Sequence, residues 1–404
     1  MTLRSVELFA GAGGLALGLD AAGIQHSAIV EWNEEACRTL RENRRQGMSP
    51  IAKWPDVIQG DVRHFDFLKF EGIDLITGGP PCQPFSQGGK HRAFLDERDM
   101  FPPAIAGVRT ARPRAFIFEN VKGLTRSTFH NYFSYIQLQL QFPSIIARRK
   151  EAWLDHLARL ERHKMKGGES EYHVVTRVLD AANFGVPQRR ERVFIVGFRS
   201  DVCQEFSFPK ETHCVEALLH SQWISGEYWD RNKVSKRNRP TFPERFRSRI
   251  ESLGDIYPSL LLRPWGTVRE AISDLPDPEK VSERLRPQGH RFQPGARTYV
   301  GHTGSSLDEP AKALKAGDHG VPGGENMLRR SDGSVRYFTI RESARIQTFP
   351  NEYIFVGSWT ETMRQLGNAV PVSLAACVAK AVSDKLRVNK RPPANEQEER
   401  GRPH

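Results

Sequence analysis

The chain has 404 residues, 59 of them Lys or Arg against 48 Asp or Glu, for a formal net charge of +11 at pH 7. Its 38% apolar fraction excludes a disordered chain, and no apolar run is long enough for a bilayer-spanning helix. The cationic excess is unusual for an enzyme of small anionic metabolites and fits a partner rich in phosphates, although a merely solvated basic surface would look the same.

The five cysteines, at 37, 82, 203, 214 and 377, form neither a CxxC pair nor a disulfide framework. That points to free thiols in a reducing cytoplasm and to no metal site. The amino terminus enters a strand at once, leaving no room for a secretory signal.

The first third alternates strand and helix. Residues 5–9 read as a strand, 14–22 as a helix, 26–31 as a strand and 34–44 as a helix. Short apolar strands follow at 73–77 and 115–119, so the expected class is α/β: a mostly parallel sheet covered by helices, with ligands at the carboxyl ends of its strands. Residues 143–171 carry Ile146, Trp153, Leu157 and Leu160 at helical spacing among many cations, which predicts one basic amphipathic helix. Residues 174–179 and 193–198 predict an antiparallel edge pair. From 200 to about 335 the chain is rich in Pro, Gly and isolated aromatics, as expected of a second, irregular domain. Order returns at 337–350 and 365–385, with a helix over 370–382, and a polar tail starts at Asn389.

Chemistry is concentrated at the strand ends. Gly78-Gly79-Pro80-Pro81-Cys82-Gln83-Pro84 sets a cysteine in a proline-stiffened loop after a strand, which suits a held nucleophile better than a packing residue. Phe9-Ala10-Gly11-Ala12-Gly13-Gly14 joins a strand to a helix, where glycines let backbone approach a ligand. The loop departs from GxGxxG, which disfavours a nicotinamide cofactor. Glu31 ends the second strand with Trp32 beside it: a carboxylate for ribose hydroxyls and an indole for a purine face. Asp61, before Val62, can accept from an exocyclic amine. These residues describe a site for an adenosine without a pyrophosphate. Glu119 should lie on the rim that carries Cys82, where a thiol and a carboxylic acid suit conjugate addition to an electron-poor ring. Arg190 and Arg192 would project to one face of a strand and converge on one ligand.

These blocks, with Arg341 to Gln347 and Gly367-Asn368-Ala369-Val370-Pro371 after them, resemble the DNA (cytosine-5)-methyltransferases in order and content from Val6 to about Lys380. The Pro-Cys-Gln and Gly-Asn-x-Val-Pro blocks are specific; the glycine loop alone is weak. The resemblance implies a Rossmann-like domain binding S-adenosyl-L-methionine (SAM), formed by residues 1–199 and completed by 365–388. It implies a smaller target-recognition domain over 200–364, and 389–404 remains as a tail.

By the same resemblance Cys82 attacks cytosine C6, Glu119 contacts N3 and the exocyclic amine, Arg192 holds O2 and Arg190 accompanies it. Phe9, Gly11, Gly13, Leu15, Glu31, Trp32, Asp61, Val62, Asn368 and Val370 fall on cofactor positions. The implied partner is double-stranded DNA with a flipped cytosine, and residues 86–99 would form the loop that closes over it. Met100-Phe101 stands where the family usually has Leu-Phe, and Met100 is expected to serve as apolar lining.

A stand-alone chain of this kind resembles prokaryotic members that act in the cytoplasm as monomers, often beside a cognate restriction endonuclease. An orphan methylase or a tRNA cytosine methylase are the alternatives. The loop at 320–325 is a candidate for approaching bases.

Overall fold

The computed structural model describes residues 2–81, 99–253, 262–300, 302–316 and 324–388. Cys82, the expected closing loop from 86 to 98, most of the 320–325 loop and the tail from 389 lie outside the described residues.

The amino-terminal half builds a seven-stranded sheet among the described residues, in the order β3-β2-β1-β4-β5-β7-β6. Its strands are β1 (Leu3–Leu8), β2 (Ile24–Glu31), β3 (Ile58–Gln59), β4 (Leu75–Gly78), β5 (Ala115–Val121), β6 (Tyr172–Asp180) and β7 (Glu191–Arg199). The first five run parallel, and β7 is antiparallel to both β5 and β6. The expected antiparallel edge pair is therefore present, with β6 outermost. The helices of this half are α1 (Gly14–Ala21), α2 (Glu34–Arg45), α3 (Phe101–Ala111), α4 (His130–Gln141) and α5 (Trp153–Met165).

Strands buried on both faces read as continuous apolar runs, as Ala115-Phe-Ile-Phe118 does, and their two faces feed separate cores. Phe116 and Phe118 pack with α3 and α4, whereas Ala115 and Ile117 pack with α1 and the carboxyl-terminal helix.

Two helical expectations need correction. The basic helix spans only Trp153–Met165, burying Leu157 and Leu160, while Ile146 lies before it and is exposed. Helices α3 and α4 had no counterpart in the expected pattern. In α3, Pro102 and Pro103 occupy the first turn, where a missing N–H costs nothing, so a breaker residue opens a helix.

The rest of the chain contributes α6 (Val215–Trp223), α7 (Glu227–Arg231), α8 (Arg247–Glu251) and α9 (Val268–Ile272), with the short strands β8 (His213–Cys214), β9 (Arg263–Pro264), β10 (Ser305–Ser306), β11 (Met327–Arg329) and β12 (Val335–Tyr337). It then forms α10 (Ile340–Ile346), α11 (Trp359–Asn368) and α12 (Val372–Val388). The irregular segment is held by buried aromatics. Tyr228 and Trp229 are almost fully enclosed, and Tyr228 donates its hydroxyl to Asp308 at 2.9 Å, a carboxylate that Arg269 also grips.

Packing with the sheet-bearing part begins before 365: Ala344, Phe349, Tyr353 and Met363 share one core with Leu40, Ile51 and Trp54, while Ile346 of α10 packs with Val268 and Ile272 of α9. Likewise Cys203 and Phe208 remain in the core beneath β5 and β7. The stretch Trp359–Val388 is long and apolar enough to span a membrane by length and composition alone. Its apolar residues are spent otherwise: Leu374, Ala375, Val378, Ala379 and Val382 are fully buried against α1 and the sheet.

Candidate active site

The site lies at the carboxyl ends of β1, β2, β4 and β5. Leu8 ends β1, and the loop that follows needs three left-handed residues in five: Phe9 at φ 54°, Gly11 at φ 53° and Gly13 at φ 81°. Phe9 holds this conformation without being glycine, a strained choice of the kind that clusters at ligand sites. A Cβ on Gly11 would meet nothing within 4 Å, so its left-handed backbone faces open space. A Cβ on Gly14 would sit 2.3 Å from the Val370 carbonyl oxygen. Gly14 is therefore glycine because α1 starts in contact with the Gly-Asn-Ala-Val-Pro block.

Glu31 fastens this loop. One carboxylate oxygen accepts from the Gly11 N–H and the other from the Asn33 N–H, both at 2.6 Å. A carboxylate offers about four acceptor positions, so two remain for the hydroxyls of a ribose. Trp32 beside it is 68% exposed although it is large and apolar, which leaves a free stacking face. Asn368 is exposed at the end of α11, whereas Gly13, Leu15, Val62 and Val370 are buried and shape the wall from behind.

Asp61 differs from expectation. Its oxygens take the Arg63 backbone N–H at 2.9 Å and the Arg63 guanidinium at 2.8 Å, and this pairing holds the carboxyl below its ordinary range. It would meet an amine only through acceptor positions left over from that ion pair. The open Gly11 backbone, the half-used Glu31 carboxylate and the bare Trp32 face together fit an adenosine-bearing sulfonium cofactor.

The second half of the site is built across β4 and β5. Gly78 ends β4 so close to β1 that a Cβ there would lie 2.5 Å from the Leu8 carbonyl oxygen. Asn120 donates its side-chain amide to the Pro80 carbonyl at 2.9 Å, pinning the proline pair that leads into Cys82. The Glu119 carboxyl lies over Gly79, three residues before Cys82, with an oxygen 3.3 Å from where a Cβ of Gly79 would be. Sequence reasoning assigns Asn120 no role, because the pin it makes joins the ends of two strands and has no local signature.

Glu119 opposes Phe194 in the ladder, and Arg192 lies two residues before Phe194, on the same face. The Arg192 Nε atom accordingly reaches a Glu119 oxygen at 2.8 Å. The alignment is too poor for a hydrogen bond, leaving that buried oxygen without one. Both side chains are nearly enclosed. Burial raises the Glu119 pKa above the usual carboxylate range, and the Arg192 and Arg190 charges only partly oppose it. A buried acid that can hold its proton beside a donor-rich guanidinium can both give and accept hydrogen bonds along one edge of a polar ring.

Arg190 lies close enough for its charge to act on Glu119 and Arg192, but its guanidinium is spent on backbone carbonyls. It precedes β7, is 1% exposed, and gives Nη1 to the Leu314 carbonyl at 2.9 Å and Nη2 to the Gly367 carbonyl. It stands one residue before the ladder begins, where Asp180 takes its backbone N–H at 3.0 Å. Around it, Gln188 accepts from the Leu314 N–H at 2.9 Å and donates to Gln347 at 3.0 Å. Gln347 in turn donates to the Leu366 and Ala369 carbonyls. This buried latch ties segment 311–316 to the turn between α11 and α12, and it has no local signature because its members are distant in the chain.

The chain matches the model of the C-5 cytosine-specific DNA methylases over residues 3–142 and 155–384. Among curated relatives it is 32% identical to the Type II methyltransferase M.PspPI of Psychrobacter sp. (strain TA137), over 93% of this chain and 78% of that one. It is 31% identical to the Type II methyltransferase M.NgoMIV of Neisseria gonorrhoeae, over 96% and 99% of the two chains. Its fold is that of the S. pombe Dnmt2 methyltransferase (TM-score 0.54, 18% identity, 96% of this chain and 99% of that one). The Entamoeba histolytica methyltransferase EhMeth has it too (TM-score 0.53, 14% identity, 96% and 99%). By the family model and these relatives, the chain belongs to the C-5 cytosine-specific DNA methylase family and is a DNA cytosine methyltransferase.

Proposed function

We propose that the enzyme methylates C5 of one cytosine within a specific duplex DNA sequence, through a transient Cys82–C6 bond on a base flipped out of the helix. The observation that carries this reading is the Glu119–Arg192 pair at the carboxyl end of β5, placed over the Gly79-Pro80-Pro81 turn that delivers Cys82.

Bound against Gly11, Glu31 and Trp32, SAM supplies an electrophilic methyl group. The chain's own residues make the cytosine able to accept it. The Cys82 thiolate adds its electron pair to C6, and the ring becomes an enamine with nucleophilic character at C5. Glu119 in its protonated form donates to N3 as negative charge collects there, and Arg192 donates to O2. After C5 is alkylated, the C5 proton leaves to a base and the C6–S bond breaks, returning the thiolate and aromaticity. Both ring faces must be reached, which a stacked base does not permit; extrusion meets that requirement. Arg190 acts as a positioning residue, holding segment 311–316 against the catalytic rim. Asn368 and Val370 line the cofactor wall from α11 and α12.

The Type II names of the relatives support a role in protecting DNA beside a cognate restriction endonuclease in a bacterial cytoplasm, and a monomer suffices for the site as built. Bisulfite sequencing of plasmid DNA from cells expressing the chain tests the reading. The expected result is 5-methylcytosine at a single sequence context, absent with Cys82→Ser. Methyl incorporation into bulk tRNA with unmodified plasmid would replace it with the tRNA reading.

A further inference from the structure

Far along the irregular segment, one short turn differs from the rest of the surface. The Tyr299 and His302 backbones exchange hydrogen bonds, at 2.8 Å from the His302 N–H to the Tyr299 carbonyl and 3.3 Å in return. Their rings lie against each other with centroids 4.4 Å apart. Between them Val300 is fully exposed. The turn thus presents a β-branched apolar side chain to solvent.

The surroundings are cationic. His302 Nδ1 lies 3.6 Å from the Glu325 carboxylate, to which Lys312 (3.5 Å) and Lys315 (3.7 Å) also turn. Arg297 and Arg329 are exposed nearby; Arg329 pairs with Ser306 in the ladder, and its backbone N–H lies 3.4 Å from where a Cβ of Gly304 would be. Two lysines and a histidine thus surround one carboxylate, with two exposed arginines close by in the chain and the ladder.

The patch is mechanically joined to the catalytic rim. Lys315 exchanges two hydrogen bonds with the Asn326 side chain, at 2.9 and 2.8 Å. One residue earlier, Leu314 is held by Arg190 and Gln188.

We infer that Val300, presented by the Tyr299–His302 turn, is a specificity-determining contact to base edges of the duplex beside the target cytosine, with Arg297 and Arg329 on the flanking phosphates. An apolar group has no attraction for phosphate, so at a DNA surface its use is against a base: the thymine methyl, or a step it wedges open. The cations around it supply positioning and affinity without reading sequence. The inference rests on the DNA-methylation reading above and adds to it the residue that selects the site.

The test compares wild type with Val300→Ser and Val300→Asp on a DNA library, scoring methylation by sequence context. Both variants should lose about tenfold or more of the preference for the wild-type target over sites differing by one base pair. Thermal midpoint and SAM affinity should be unchanged. Arg297→Ala and Arg329→Ala should instead weaken binding evenly across sequences, each lowering the salt slope of DNA binding by about one. A preference within twofold of wild type in both Val300 variants overturns the inference. Wild-type enzyme that makes no 5-methylcytosine in duplex DNA retires the underlying reading instead, so the two failures are distinct.

Discussion

The catalytic rim and the irregular segment place their buried carboxylates differently. At the rim, a Glu119 oxygen is buried without a hydrogen bond and the left-handed Gly11 backbone faces open space. In the irregular segment the Asp308 carboxylate is consumed. Asp308 takes Tyr228 and both branches of Arg269, and the Thr339–Glu342 capping box of α10 is closed further by Arg336. A site that must receive a substrate holds unsatisfied groups at a cost in stability, whereas a scaffold pairs them. Arg190 and Arg192, two residues apart, keep different company: Arg190 holds the Leu314 and Gly367 carbonyls, and Arg192 pairs with Glu119.

Breaking the rim should have the largest effect. Glu119→Gln keeps the shape and a donor but loses the acid, and should lower kcat by about 10² to 10³ with little change in DNA affinity. Rapid-quench single-turnover kinetics would check it. Because burial raises the Glu119 pKa, its proton is present at low pH and lost as pH rises through the folded value. The rate of the wild-type chemical step should therefore carry a basic limb, and Glu119→Gln should remove it.

Arg190→Ala should act differently from Arg192→Ala. Removing Arg190 leaves the Leu314 and Gly367 carbonyls buried without a donor, a loss of about 1–3 kcal/mol seen in denaturant midpoints and in weakened DNA and SAM binding. Arg192→Ala should lower kcat with binding largely kept. Equal kinetic signatures for the two would erase the distinction drawn here.

Gly14→Ala forces a Cβ against the Val370 carbonyl at 2.3 Å, and a backbone oxygen there yields less readily than a side chain. About 1–3 kcal/mol of destabilisation is expected by thermal melting, together with weaker SAM binding by calorimetry.

An effect on stability alone, away from the rim, concerns Glu7, wholly buried in β1 beside the Thr77 hydroxyl, with its pKa raised by burial to about 8 from 4.5. Across that window the folded state keeps a proton that the unfolded chain has lost, so stability falls as pH rises. The slope is at most about 1.4 kcal/mol per pH unit, and it ends above the folded value. Glu7→Gln should flatten the slope in urea titrations at several pH values.

How much of this was legible follows the same division. Strands β1, β2, β4 and β5 announced themselves by apolar runs ending in turn residues, and Glu31, Trp32 and Glu119 were found because each follows such a run. Signals of that kind are local. Helix α4 was missed because its buried Tyr132, Tyr135 and Ile136 come with few charged neighbours to mark a solvent face. The packing of Phe349 and Tyr353 has no local signal, because their partners Leu40 and Trp54 lie some 300 residues away. The latch among Gln188, Arg190, Leu314 and Gln347 was invisible for the same reason. Resemblance placed Arg190 beside Arg192, and only the fold shows that its guanidinium is held by the Leu314 and Gly367 carbonyls.

One measurement bears most directly on the chemistry proposed for Cys82. A duplex carrying 5-fluorocytosine at the target position blocks loss of the C5 substituent, so a ring bonded to sulfur cannot escape after methyl transfer. Incubated with the enzyme and SAM, it should trap close to one DNA per protein, with mass spectrometry of the digest placing the bond at Cys82 and Cys82→Ala giving none. Steady turnover on normal DNA with no trapped species, or a bond at another residue, would contradict the account.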